Sequence, residues 1–137
     1  LSTARLSMHA FRTAVENRDE DAIVALLAED VVFTSPVAFK PYPGKAITAA
    51  ILRGVMRVFE DFAYVREISD PDGRDHALVF TATVNGRRIQ GCDFLHVDED
   101  GLIDDFTVMV RPLSAAQALA EAMGAQFDRI AREAAGE

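Results

Sequence analysis

The chain has one cysteine, Cys92, no tryptophan, and no apolar run approaching the roughly 20 residues that span a bilayer. A single thiol makes neither an intramolecular disulfide nor a Cys-based metal spacing, which predicts a reducing, cytoplasmic setting. The first residues lack the basic start and apolar core of a secretory leader, although numbering from Leu1 leaves a removed segment open. Positive charge is also scarce: 14 Lys and Arg against 22 Asp and Glu give a formal charge of -8, which repels phosphate backbones and anionic lipid. Neither nucleic acid nor a membrane is expected as a partner. The eight glycines are scattered rather than gathered into a phosphate cradle, and His9, His76 and His96 share no ligand spacing. No cofactor and no metal site are expected.

What is present is a globular composition. Half of the 137 residues are hydrophobic and 26% are charged, enough for one core without staples, so a single domain is expected over residues 1–137. Leu6, Met8, Phe11, Ala14 and Val15 recur at helical spacing. Asp19 is placed to cap a second helix carrying Ile23, Leu26 and Leu27 and closing at Glu29-Asp30. The β-branched run Val31 to Thr34 reads as a strand, and prolines 36, 41 and 43 with Gly44 mark a loop that holds Tyr42. A third helix follows from Lys45 to about Glu60, on Ile47, Ile51, Val55, Val58 and Phe59, with Gly54 inside it at some cost.

Four strands come next. Phe62 to Ile68 and Leu78 to Val84 alternate across the Asp70-Pro71-Asp72-Gly73 turn. Asn85-Gly86 signals a hairpin into a strand ending near Val97, and Asp98 to Gly101 turns into Leu102 to Arg111. Pro112 ends pairing, and Ser114 with Gln117 forms a capping-box pattern before a last helix. This order implies an α+β fold, a curved antiparallel sheet with helices packed on one face.

Alternation sorts the side chains. Gly91, Asp93, Leu95 and Val97 share one face, and Cys92, Phe94 and His96 share the other. A turn of two or four residues places Asp104, Phe106 and Val108 beside Asp93, whereas a three-residue turn inverts them. On the first register the helices cover Leu78, Phe80, Asp93, Leu95, Phe106 and Val108. The back then carries Cys92, Phe94, Ile103 and Met109, too apolar for plain exposure. Either the C-terminal helix or a second subunit covers it, and a homodimer through this outer face is the simpler expectation.

The element order, the run Asp19 to Val37 (DEDAIVALLAEDVVFTSPV) and the hairpin Gly91 to Pro112 (GCDFLHVDEDGLIDDFTVMVRP) resemble the nuclear transport factor 2-like superfamily. The likeness is to its SnoaL-like and ketosteroid isomerase-like branch. It implies a cone-shaped sheet wrapped on its concave face by the N-terminal helices, with a C-terminal helix. Among the isomerases of that branch a shuttle acid, a helix-one tyrosine and a protonated acid act together. The matching positions here are Ser35, Phe11 and Asp93. A serine hydroxyl is no base near neutral pH and phenylalanine donates nothing, so one of the three functions survives. The epoxide hydrolase pattern falls on Gly91 and Val108 beside Asp93 and is likewise incomplete, while a cyclase asks only for a pocket acid.

Asp93 is therefore the catalytic candidate, as a general acid or a donor to a ligand oxygen; a structural acid satisfied by backbone or a nearby hydroxyl, and a mis-registered surface residue, are the alternatives. Phe11, Ser35, Tyr42, Phe80, Leu95, Phe106 and Val108 are the ligand-binding candidates, giving a mainly apolar pocket. Tyr42 and Tyr64 can each offer a phenol or simply pack. His76 has the strand parity to reach the pocket mouth, with a surface position as the alternative. Two functions remain open: a binder of a small apolar or polycyclic molecule, extending to cofactor-free isomerase, cyclase or lyase chemistry on Asp93, and a non-catalytic binding or dimerisation module.

Overall fold

The computed structural model describes residues 3–136, with side chains from residue 8 onward. The side chain of Leu6, expected on the apolar face of the first helix, lies outside that range. Helices α1 (Thr3–Glu16), α2 (Glu20–Ala25) and α3 (Lys45–Val58) interleave with strands β1 (Leu27–Thr34) and β2 (Tyr42–Pro43). Strands β3 (Glu60–Ser69), β4 (Asp75–Val84), β5 (Arg87–Val97) and β6 (Ile103–Arg111) follow, then α4 (Leu113–Ala134). The class is α+β, a six-stranded sheet of order β2-β1-β6-β5-β4-β3.

The four long strands pair antiparallel in sequence order, as alternation and turn residues require. The sheet is not wholly antiparallel, however: β1 joins β6 in parallel, Phe33 beside Phe106, and β2 pairs antiparallel with β1. Tyr42 thus sits in a short strand rather than a free loop. The second helix also ends earlier than its apolar spacing suggests. Asp19 does cap it, accepting from the Ala22 N–H at 3.1 Å, but Leu27 already pairs with Ile103, and the Ile103 N–H donates to the Leu26 carbonyl at 2.8 Å. Sheet hydrogen bonds win over local propensity there. The expected Ser114 capping box does not form either, because the N-cap falls two residues earlier, at Pro112, with no side-chain cap bond.

The hairpin between β5 and β6 departs most from expectation. Its register shifts between His96 and Val97, so Val97 opposes Ile103 while His96 opposes Asp105. The extra residue in β6 reverses parity at the strand start. Ile103 becomes fully buried instead of lying on the back, and Asp104 leaves the Asp93 side to meet His96 Nδ1 at 2.6 Å.

The inner face of the sheet supports two apolar clusters, one under α1, α2 and α3 that also takes Ile130 of α4, and one under α4 with Val55 and Val58 of α3 against it. Helix α4 packs with α3 through Gly54, where an added Cβ would stand 2.8 Å from Ile130 Cδ1. The glycine that weakens α3 locally is what lets α4 come close. Since α4 lies on the inner side, the outer face stays uncovered among the described residues, with Phe94 at 42% and Met109 at 59% exposure. No described helix is long and apolar enough to cross a membrane.

Candidate functional site

Asp93 sits in the middle of β5, between Leu78 of β4 and Val108 of β6, and is only 6% exposed. A carboxyl in that setting needs a partner. Tyr64 of β3 provides one, its hydroxyl donating to Asp93 Oδ2 at 2.9 Å. The tyrosine reaches across β4 because it pairs with Phe80 and the β3 register slips just after it, before Arg66. Its ring is fixed from both sides, edge-on to Phe62 at 4.9 Å and 5.5 Å beneath the Arg12 guanidinium, which Glu67 holds at 2.9 Å.

Burial pushes the Asp93 carboxyl from 3.8 up to about 7, and the Tyr64 hydrogen bond acts the other way. The same geometry raises the Tyr64 phenol well above 10, first by burial and then by the charge and hydrogen bond of Asp93. Tyr64 therefore keeps its proton and remains a donor, and Asp93 alone changes state near neutral pH.

The pair opens into a cavity of about 210 Å3. Phe11, Phe33, Phe80 and Phe106 build much of its wall, with Ile51 and Val55 from α3 and Leu119 and Met123 from α4. Phe11 meets the Phe106 edge at 5.7 Å, and Phe33 lies 5.4 Å from the same ring. Phe80 can lie flat over β5 because its neighbour is Gly91, where a Cβ would come within 2.3 Å of the ring. Glu16, Arg18 and Val37 line the cavity and are solvent-exposed, which marks its opening. Ser35 stands near it, accepting from the Val37 N–H at 3.1 Å.

Of the residues singled out from sequence, Asp93, Phe11, Ser35, Phe80, Phe106 and Val108 come together around this cavity. Tyr42 and Leu95 do not: Leu95 is buried in the core and Tyr42 packs against that core from β2. His76 also falls elsewhere, buried with Ser69 Oγ at 2.6 Å from Nδ1 and the Gly73 carbonyl at 2.8 Å from Nε2. It is neither a mouth residue nor a surface one. Sequence reasoning left the role of Tyr64 open. The signal was the need of a buried Asp93 for a hydrogen-bond partner, but choosing among backbone and hydroxyl candidates required the β3 register. Glu16 and Arg18 gave no signal. Among the described residues, no group of three or more His, Cys, Asp or Glu is arranged to hold a metal ion.

Comparison with solved structures finds the same architecture repeatedly. A steroid delta-isomerase from Pseudomonas aeruginosa is 42% identical, with 94% of each chain covered and a TM-score of 0.89. An uncharacterised protein with a cystatin-like fold from Silicibacter pomeroyi is 38% identical over 93% of this chain and 89% of its own, at a TM-score of 0.87. An LEH-like epoxide hydrolase from Mycobacterium tuberculosis, at 23% identity, shares the fold (93% of this chain and 96% of its own, TM-score 0.62). Comparison with curated proteins found no match. The SnoaL-like domain model matches residues 8–106, which include α2, α3 and strands β1 to β5 in full, and the chain belongs to the SnoaL-like domain family.

Proposed function

We propose that this domain binds a small, mainly apolar molecule with an oxygen anchored on Asp93. The observation that carries this reading is the hydrogen bond from Tyr64 to Asp93 at the wall of a mainly apolar cavity. In its neutral form Asp93 accepts from Tyr64 on one oxygen and has a proton to give on the other. A carbonyl or hydroxyl oxygen is the complementary ligand group. The cavity of about 210 Å3 lies below the roughly 300–1,000 Å3 of drug-sized sites, which favours a compact one- or two-ring body.

The test compares 1-tetralone with tetralin by calorimetry at pH 6. The ketone should bind about tenfold more tightly, the worth of one buried hydrogen bond, and Asp93→Leu should erase the preference. Equal affinities in the unaltered protein would sink the anchor.

A second reading is proton transfer on a bound carbonyl compound. The Asp93 carboxyl at about 7 is matched to acid-base work at neutral pH, and a steroid delta-isomerase is among the similar structures. Against it, Ser35 stands where the resemblance places the shuttle acid and Phe11 where it places a phenol. A non-catalytic binder is thus the leading proposal, and conversion of 3-cyclohexenone to its conjugated isomer, followed by ultraviolet absorbance, separates the two. We also propose a second copy of the chain as partner for the outer sheet face. Supporting this, Val79, Cys92 and Met109 lie in one cross-strand row, with Phe94 and Ile68 exposed nearby.

A further inference from the structure

Beside the cavity lies a cleft of about 300 Å3 lined by Arg18, Arg53, Arg57 and Arg129 with only Glu20 and Glu133 as acids. In a chain of charge -8, four guanidinium groups against two carboxylates make a local excess of positive charge. Three elements converge to build it. Arg53 and Arg57 stand one turn apart on α3, Arg129 and Glu133 one turn apart on α4, and Arg18 follows the end of α1.

The pairing within the cleft is uneven. Glu133 Oε1 lies 2.9 Å from Arg57 Nη2 and 3.3 Å from Arg129 Nε, so one carboxylate serves two arginines. Arg57 Nε also donates to Gln126 Oε1 at 2.7 Å. These contacts describe a clamp between α3 and α4. They leave Arg53 with Glu20 at a loose 3.7 Å, and Arg18 donating to the neutral Met56 carbonyl. Arg18 and Met56 border both the cleft and the apolar cavity, so the two spaces share one wall.

We infer that the cleft receives an anionic head group, a carboxylate or phosphate, belonging to the ligand whose apolar body fills the cavity. The inference rests on the ligand-binding reading above and narrows it to amphipathic anions. Arginine suits the task because its planar fork holds either head group through paired hydrogen bonds. An acidic protein that must admit an anion needs such a local reversal of sign near the opening.

The experiment titrates octanoate and 1-octanol into the intact protein at pH 6 and low ionic strength, with pyrophosphate as an anion lacking an apolar body. Octanoate should bind about tenfold more tightly than 1-octanol, as one charge-assisted contact implies. In the double variant Arg53→Gln/Arg129→Gln, neither position of which lines the apolar cavity, that ratio should fall to about one. Arg53→Lys/Arg129→Lys should restore part of it. Equal binding in the unaltered protein, or a ratio that survives the glutamine substitutions, overturns the inference and leaves the cavity reading standing. If neither amphiphile binds while 1-tetralone does, the inference falls and the cavity reading stands; if 1-tetralone fails too, the cavity reading fails and pyrophosphate decides the cleft. Binding lost in the glutamine variant sustains an anion site, and no binding removes it.

Discussion

Replacing Asp93 by asparagine should stabilise this protein at alkaline pH, by an amount set by how deeply the carboxyl is buried. The folded carboxyl titrates at about 7 against an ordinary 3.8, with burial as the main cause. At about 1.4 kcal/mol for each pKa unit, the ionised folded state carries a penalty of about 4 kcal/mol. A group raised on folding contributes its stability below the unfolded pKa and loses it as pH rises through the folded one. The unaltered protein should therefore weaken between about pH 4 and 7 and then level off above pH 8. Asp93→Asn keeps the shape and still accepts from Tyr64, but cannot ionise. Reversible urea unfolding of both proteins from pH 4 to 8.5 gives a difference curve from which other titrating groups cancel. That curve should start near zero and climb toward ~4 kcal/mol in favour of Asp93→Asn. A rise smaller than about 1 kcal/mol would refute the claim that desolvation dominates at this site.

Other substitutions probe neighbouring parts of the argument. Tyr64→Phe removes a hydrogen bond that favours the ionised acid, so the Asp93 pKa should rise further, read by 13C NMR of the carboxyl; a fall would contradict the assigned geometry. Gly91→Ala places a Cβ inside the Phe80 ring contact and should cost about 1–3 kcal/mol of stability, whereas an unchanged urea midpoint would mean that the ring moves freely. Phe94→Asp or Met109→Asp on the outer face should shift a dimer to monomer in sedimentation, and an unaltered profile would exclude that face as the contact. Asp104→Asn should lower the His96 pKa, because the Asp104 hydrogen bond is the main cause of its rise. Histidine chemical shifts against pH report this directly, and an unchanged midpoint would count against the pair.

The sequence by itself was enough for the class of fold and for the sheet face that carries Asp93. Period-two alternation from Phe62 onward, with Asn85-Gly86 and the acidic Asp98 to Gly101 turn, specifies four antiparallel strands because each feature acts over a few residues. It also put Asp93, Phe80, Phe106 and Val108 on one face. What it could not determine depends on contacts between distant segments. The parallel pairing of β1 with β6 joins residues more than 70 positions apart, and no local pattern encodes it. The extra residue that turns Ile103 inward and Asp104 outward hangs on one slip of register, and one slip reverses every assignment before it. The partner of Asp93 likewise required the irregular β3 register that carries Tyr64 over β4. The arginine cleft brings together Arg18, the i,i+4 pair Arg53 and Arg57, and Arg129 with Glu133, and no local pattern relates these separated segments. Local propensity and alternation are short-range and survive in a string of letters; closure, register and the meeting of distant charges are properties of the packed chain.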